Sequence, residues 1–195
     1  MTPGPPPGYY SAATGLGGRA LREALSTIIA GHTRLSQTGL WSVVTLADSH
    51  GADRVLTIYW NSLRAVGIHD ADYGWEREHA WPRSYLPSSA PKPGLQACGE
   101  AVTDAHHIFA EAPMYNRARS NRAFADCLAG CTSFPVADAP GQYNKTGTQI
   151  ADGVTLERWE VWPERRGDIA RAMFYMDVRY EGATRGGCVS TSSEN

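Results

Sequence analysis

The sequence predicts a single α+β domain, because its length fits one domain and its helical patterns lie near the two ends with strand patterns between them. The chain has 195 residues, enough for a domain that buries about 70% of its unfolded surface. Helices at both ends, with strands and a long loop between them, favour an α+β domain over alternating βαβ units.

Apolar spacing predicts two helices and a strand in the first third of the chain. From Arg19 to about His32, apolar residues recur at i, i+4, i+7 and i+8, which places them on one helical face. 'GLWSVVTLAD', residues 39–48, repeats the pattern briefly and predicts a second helix. 'RVLTIYW', residues 54–60, is short, β-branched and aromatic, and it predicts a strand.

The rest of the chain alternates regular elements with proline- and glycine-rich segments. 'EREH' and 'DAHHIFAEA' predict strands, while 'MYNRARSNRAFADCL', from Met114, predicts a helix. Residues 86–100 and 132–155 are expected to be loops. The last predicted helix is 'RGDIARAMFYMDVRYEG', whose apolar stripe consists of Ile169, Met173, Met176 and Tyr180.

The ends of the chain are expected to be flexible and to flank one domain. 'TPGPPPG' cannot form ordinary secondary structure, so residues 1–8 are expected to be a flexible lead. The domain is expected to span residues 9–186, followed by a flexible tail at 187–195.

Composition excludes several classes of protein. Apolar residues at 42% and charged residues at 19% are ordinary for a globular protein. The longest apolar runs are far shorter than the roughly 20 residues that a membrane helix needs, so no membrane partner is expected. A net charge of −2 argues against binding nucleic acid through the overall field, but a local arginine patch remains compatible with phosphate contacts.

Four cysteines leave the redox state of the chain open. Their even number is compatible with two disulfides in an oxidising compartment, and the favoured pairs are Cys127 with Cys131 and Cys98 with Cys188. The alternative is four buried free thiols. A zinc site using cysteines with His106 and His107 is a weaker alternative, because no two matched CxxC pairs occur.

The polar residues best suited to chemistry lie between Arg77 and Arg122, in the blocks 'EREH', 'DAHH' and 'NRARSN'. Phosphodiester hydrolysis needs a base to deprotonate water, a cation on the phosphate oxygens and help for the departing oxygen. A neutral histidine suits the first task, and Asn and Glu oxygens suit Mg²⁺ or Ca²⁺. An arginine can add bidentate phosphate contacts.

Several blocks in the same order resemble the bacterial endonuclease I family. They are 'YYSAATGLGGRALREALSTIIAGHTRLS', 'LWSVVTLAD', 'EREHAWPRS', 'TDAHHIFAEAPMYNRARSN' and 'RGDIARAMFYM', and they run from about Tyr9 to Tyr180. The resemblance implies a ββα-metal (His-Me) finger flanked by helices and long loops. It also implies a periplasmic or secreted nuclease that cleaves DNA, often also RNA, with little sequence preference and leaves 5′ phosphates.

The resemblance also implies roles for individual residues. His79 matches the histidine that activates water, while Glu78 and Asn121 match the ligands of a divalent ion, here Mg²⁺ with Mn²⁺ or Ca²⁺ as substitutes. The remaining matches are Arg119 at phosphate, Arg117 and Arg122 as weaker phosphate candidates, and His106 and Asn116 as structural support.

Other interpretations remain open at this stage. An adjacent Glu and His is usually a solvated strand pair, and neighbouring strand residues point to opposite faces. Glu78 and His79 therefore serve one site only if the strand ends or bulges there. An inactive nucleic-acid-binding or inhibitory protein, and a hydrolase of another phosphate ester, are the alternative functions. No signal peptide is visible at the N-terminus, which leaves a cytoplasmic protein or a mature secreted form; the oligomeric state is not predicted.

Overall fold

The computed structural model describes residues 4–30, 35–69, 71–86 and 101–180. The α-helices are α1 (Gly18–Ile28), α2 (Gln37–Ala47), α3 (Pro113–Arg119) and α4 (Arg166–Tyr180). The strands are β1 (Arg54–Leu56), β2 (Leu63–Ala65), β3 (Glu76–His79), β4 (Ile108–Glu111), β5 (Ala123–Phe124), β6 (Thr132–Pro135), β7 (Tyr143–Ala151) and β8 (Val154–Glu160). Short 3₁₀ turns lie at Ser11–Ala13, Arg83–Tyr85, Ala105–His107 and Pro163–Arg165.

A hairpin followed directly by a helix forms the centre of the fold. Strands β3 and β4 pair antiparallel, with Glu78 opposite Phe109 and His79 opposite Ile108. Helix α3 begins two residues after β4 with Pro113 at its first turn, where a missing N–H costs nothing. The ββα unit expected from the sequence is therefore present.

The strand predicted at residues 54–60 is shorter in the structure, where it has 3 residues. β1 ends at Leu56, and Thr57 hydrogen-bonds with Ser62 through both backbone and side chain to close a turn. Asn61 has a φ of 55°, a left-handed conformation that Asn tolerates better than most residues. The aromatic pair Tyr59 and Trp60 thus lies in a turn, where packing rather than strand pairing explains its apolar character.

The prediction of a loop at residues 132–155 is wrong, because β6 and β7 lie in this range. They belong to a four-stranded sheet in the order β5-β8-β7-β6, in which β5 pairs parallel with β8 and the other pairs are antiparallel. Asp152 and Gly153 both have positive φ, at 51° and 75°. An Asp-Gly turn of this kind joins hairpin strands without disturbing their twist.

The helix predicted from Met114 to Leu128 is also too long. α3 ends at Arg119, and Ser120 adopts φ 50° and ψ −122°, which no helix accommodates. Asn121 consequently lies beyond the helix rather than on it. Arg117 and Asn121 therefore do not share a helical face, as their spacing of four had suggested.

The second predicted strand is shorter than its sequence block. Asp104 caps a 3₁₀ turn by accepting a hydrogen bond from the His106 backbone N–H, and β4 starts only at Ile108. The two histidines therefore lie in a turn: His107 is buried and His106 is largely exposed.

Helix α4 closes one side of the domain as the apolar stripe predicted. Ile169, Met176 and Tyr180 are buried, while Met173 is partly buried. The largest buried cluster includes Tyr59, Tyr115, Trp159 and Trp162 together with Ile169 of α4, so it joins α3, α4 and the four-stranded sheet. In the described ranges, no helix is long and apolar enough to cross a membrane.

Cys127 and Cys131 form a disulfide, as favoured from the sequence. This excludes free thiols at these two positions, and it also removes them from the zinc alternative. The other expected pair, Cys98 with Cys188, lies outside the described residues. The division into residues 1–8, 9–186 and 187–195 stays a prediction.

Candidate active site

A polar cavity of about 460 Å³ opens where β3, the following 3₁₀ turn and the end of α3 meet. We call it the β3 cavity. Five of the residues singled out from the sequence line it: Glu78, His79, Asn116, Arg119 and Asn121. Residues more than 40 positions apart are thus brought together by the turn back from β4 into α3.

His79 is the last residue of β3, so the strand alternation that separates it from Glu78 ends there. Its Nε2 lies 3.1 Å from the carbonyl oxygen of Val102, and its Nδ1 lies 3.4 Å from that of Arg77. A neutral imidazole carries one proton, and the closer carbonyl places it on Nε2. Nδ1 is then the nitrogen with a free lone pair.

The environment of His79 keeps the imidazole neutral. Burial, with a smaller contribution from the neighbouring His107, lowers the pKa of His79 to about 3. The two rings meet edge to face with centroids 5.6 Å apart. At physiological pH the imidazole is therefore in the neutral form, which can accept a proton.

Glu78 lies one residue earlier and is held by two donors. The Tyr59 hydroxyl donates to its Oε1 at 2.8 Å, and Arg119 Nη1 lies 2.9 Å from the same oxygen. Burial raises the pKa of Glu78, while Arg119 and Tyr59 oppose that shift. Among the described residues, both of these donors bind Oε1 rather than Oε2.

Asn121 faces the same cavity from the chain that leaves α3. The strained conformation of Ser120 turns the backbone out of the helix, and the Tyr85 hydroxyl donates to the Asn121 carbonyl at 2.8 Å. Non-glycine residues in sparsely populated conformations are concentrated at functional sites. The end of α3 therefore presents an exposed amide at the cavity.

Arg119 is buried beneath the cavity. Besides Glu78, its guanidinium donates to the carbonyls of His79, at 2.8 Å, and Ala80, and its side chain is 2% exposed. It holds the end of β3 in place through three acceptors. This placement favours a supporting role for Arg119 over the phosphate contact expected from the sequence.

Of the other residues predicted for the site, one lines the cavity and three do not. Asn116 lines it and donates to the Arg77 carbonyl at 3.5 Å. Arg117 pairs with Asp72 at 3.1 Å, and Arg122 pairs with Glu157 at 3.1 Å; neither is among the described residues that line the cavity. His106 is bound to Asp104 and stacks on Tyr175, also outside the lining.

The structure adds residues that the sequence had not assigned to the site. Arg83 is an exposed residue that lines the cavity, and its side chain makes no hydrogen bond or ion pair with the described part of the chain. Ser84 lines it too. The signal was present in 'EREHAWPRS', where Arg83 follows the Glu-His pair by four residues. Without the turn at Pro82, however, nothing indicated that its side chain would face the cavity.

The donor set fits a hard divalent cation. The carboxylate of Glu78 and the amide of Asn121 offer oxygen donors in the lining of one cavity, and ions such as Mg²⁺ keep several waters beside one or two protein ligands. Within the described ranges, no cluster of three or more His, Cys, Asp or Glu side chains has the arrangement of a metal site. A cation here would therefore rest on few protein ligands.

An antiparallel hairpin running into a helix, with a Glu-His pair at the end of its first strand, is the arrangement of a ββα-metal nuclease. The comparison of the sequence with family models agrees: the Endonuclease I model matches residues 17–189, so the chain belongs to that family and is a nuclease.

Two curated relatives support the same assignment. An extracellular ribonuclease of Bacillus amyloliquefaciens is 36% identical over 178 residues, and one of Bacillus subtilis (strain 168) is 35% identical over 178 residues. Each match covers 89% of this chain and 54% of the relative, so the chain spans about half the length of these proteins. No solved structure matches.

Proposed function

We propose that this nuclease is a divalent-metal-dependent endonuclease that hydrolyses the phosphodiester bonds of RNA and DNA with little sequence preference. The observation that carries the proposal is His79: a neutral imidazole at the end of β3, in one cavity with the oxygen ligands Glu78 and Asn121. The same cavity suits phosphate, since the exposed guanidinium of Arg83 also lines it.

In this proposal, Nδ1 of His79 takes the proton from the attacking water. The Val102 carbonyl accepts the hydrogen bond from Nε2–H, and this fixes the tautomer in which Nδ1 is free. As Nδ1 becomes protonated, the carbonyl continues to orient the ring. Positioned general bases of this kind contribute roughly 10²- to 10⁴-fold to rate.

Glu78 and Asn121 are the residues that would hold the ion, with Mg²⁺ as the expected cofactor and Mn²⁺ or Ca²⁺ as possible substitutes. When bound, such an ion supplies positive charge for the phosphate and for the leaving 3′ oxygen. Arg119 forms an ion pair with Glu78 and, through its hydrogen bond to the His79 carbonyl, holds the end of β3 in place. Products are expected to carry 5′ phosphates.

Arg83 is the phosphate contact that the geometry favours. It lines the cavity and is exposed, whereas Arg117 and Arg122 are held by carboxylates and Arg119 is buried. A guanidinium can bind two phosphate oxygens at once. Contacts of this type position the backbone and carry no base information, which fits low sequence preference.

The names of the relatives favour RNA as one substrate and an extracellular location for this chain. The disulfide between Cys127 and Cys131 is compatible with an oxidising compartment. DNA remains a second expected substrate because the hydrolysis of the phosphodiester does not use the 2′ hydroxyl.

The proposal is tested by incubating the purified protein with single-stranded RNA and with plasmid DNA, each with Mg²⁺ and with EDTA. Cleavage of both substrates with Mg²⁺, abolished by EDTA, is the expected result. Binding without cleavage under all conditions would instead identify an inactive nucleic-acid-binding protein. Cleavage unaffected by EDTA would reject the metal.

The metal ligands are tested by calorimetry with Mg²⁺. Asn121→Ala should bind Mg²⁺ at least about tenfold more weakly than the wild type, because the ion would then keep only the Glu78 carboxylate as a protein ligand. Asn116→Ala, from the same cavity, is the matched control and should keep the wild-type affinity. Equal affinity in Asn121→Ala would remove this residue from the ligand set.

A further inference from the structure

A second cavity lies next to the β3 cavity and has a different chemistry. It is formed between α4, the β5–β8 edge of the four-stranded sheet and the 3₁₀ turn at Arg83–Tyr85, and its volume is about 770 Å³. We call it the α4 cavity. This volume lies within the range of about 300–1,000 Å³ that is usual for ligand pockets. Its lining is mainly apolar and includes Trp81, Phe124, Trp159, Met173 and Phe174.

The two cavities adjoin each other. Pro82 and Arg119 line both of them. Tyr85, which lines the α4 cavity, donates a hydrogen bond to the carbonyl of Asn121, which lines the β3 cavity. A nucleic-acid strand with one phosphate in the β3 cavity would therefore have a neighbouring nucleotide at the mouth of the α4 cavity.

The rim of the α4 cavity carries aromatic rings in contact with solvent. Phe174 is 71% exposed and Tyr85 is 49% exposed. Aromatic rings that border an apolar cavity match the flat faces of nucleobases, and such rings bind single-stranded nucleic acid by stacking with little sequence preference. The polar part of the lining carries both signs of charge: Arg122 and Arg166 lie there, paired with Glu157 and Glu160, together with Asp126 and Asp177.

We propose that the α4 cavity binds a nucleobase of an unpaired strand, adjacent to the phosphate held in the β3 cavity. A base that is paired and stacked inside a duplex cannot enter such a cavity without leaving the stack. The proposal rests on the proposed nuclease function and extends it: the β3 cavity takes the backbone, and the α4 cavity takes a base of single-stranded RNA or DNA.

The experiment measures binding without cleavage, so that it is independent of catalysis. Fluorescence anisotropy in EDTA compares a labelled 12-nucleotide oligoadenylate RNA with an abasic strand of the same length and backbone. The wild type should bind the strand with bases at least about fivefold more tightly, as stacking on aromatic rings predicts. Ala170→Trp, at an exposed helical position in the cavity lining, should reduce that difference to less than about twofold.

Two further variants make the result specific. Phe174→Ala removes an exposed ring from the rim and should also reduce the difference in affinity between the strand with bases and the abasic strand. If Ala170→Trp does not fold, Phe174→Ala provides the test of the proposal. Tyr73→Ala removes a ring that is equally exposed but lines neither cavity, and it should behave as the wild type.

Equal binding of both strands by the wild type would overturn the proposal. This result is expected, for example, if another part of the chain fills the α4 cavity. Retention of the full difference in Ala170→Trp would also overturn it. Failure of the nuclease function is separate: it would show as absence of cleavage with Mg²⁺, whatever the anisotropy gives.

Discussion

Arg119 Nη1 lies 2.9 Å from Glu78 Oε1, and the two side chains are 2% and 1% exposed. A buried ion pair of this kind becomes costly when one partner is removed, because the other charge remains buried. The pair also links α3 to the end of β3, since the same guanidinium donates to the carbonyls of His79 and Ala80. Stability and site geometry are therefore coupled at one residue.

Replacing Arg119 should lower the stability of the fold as well as the rate of cleavage. We expect Arg119→Ala to lower the free energy of unfolding by about 3–5 kcal/mol, the usual cost of breaking a buried pair. Urea denaturation measures this. Arg117→Ala, which removes an exposed arginine of the same helix, is the control and should cost less than about 1 kcal/mol. If Arg119→Ala kept wild-type stability while cleavage fell, the arginine would be a phosphate contact instead.

Ser120 should be a position where glycine is more stable than serine. Its φ of 50° and ψ of −122° disfavour a side chain, at a cost of about 1–3 kcal/mol, which exceeds the added entropy cost of glycine. Ser120→Gly should therefore raise the free energy of unfolding by up to about 1 kcal/mol. Ser133→Gly, in β6, is the matched control and should lower it by about 0.5–1 kcal/mol. A destabilised Ser120→Gly would mean that the serine side chain makes a necessary contact.

The disulfide should contribute modestly to stability. It closes a loop with a sequence separation of 4, for which the chain-entropy relation gives about 2 kcal/mol. The double variant Cys127→Ala/Cys131→Ala should lose about that amount in guanidinium denaturation. The wild type under the same non-reducing conditions provides the comparison, so that any other bridge stays intact in both proteins. An unchanged midpoint in the double variant would show that the bridge is not a source of stability.

The turn before β4 should make stability depend on pH. Asp104 accepts hydrogen bonds from the hydroxyls of Tyr175 and Tyr180, each at 2.8 Å, and lies 2.7 Å from His106 Nδ1. This hydrogen bond to Asp104 raises the pKa of His106 above its usual 6.5. The imidazolium therefore stabilises the fold fully below about pH 6.5, and the contribution is lost as pH rises through the higher folded pKa.

His106→Phe tests this, because it keeps an aromatic ring against Tyr175 and removes the charge. Its loss of stability relative to the wild type should be larger at about pH 5.5 than at about pH 9. The difference should stay below about 1 kcal/mol, since the His106 side chain is 59% exposed and solvent screens the pair. His50→Phe, at an exposed histidine, serves as control. A loss independent of pH would leave only the packing of the ring.

Local sequence patterns predicted the elements that depend on periodicity. The stripe from Ile169 to Tyr180 predicted α4, and the blocks 'EREH' and 'DAHHIFAEA' predicted the two strands of the hairpin, the second of them too long. The pattern did not show where α3 ends, because Ser120 adopts a conformation more typical of glycine. The β7–β8 hairpin was missed because its Asp152-Gly153 turn was taken as part of a loop, although Asp-Gly between β-prone runs is a hairpin signal.

Several residues that line the cavity were predicted from the sequence, but the residues that support them were not. His79, Glu78 and Asn121 came from the resemblance between sequence blocks, and they line one cavity. Tyr59 and Val102, which hold Glu78 and His79, are 19 and 23 positions away and have no distinctive pattern. Burial of Arg119 is likewise a property of packing: an arginine in a short sequence block gives no sign of whether it faces solvent.

The role of His79 is tested most directly by single-turnover cleavage of single-stranded RNA in the presence of Mg²⁺. His79→Ala should be slower than the wild type by at least about 100-fold, because the base that deprotonates water is lost. Circular dichroism should confirm that the variant is folded, and His50→Ala, at an exposed histidine outside the cavity, should cleave at the wild-type rate. A folded His79→Ala protein that cleaves within about twofold of the wild type would contradict the assignment of His79 as the general base.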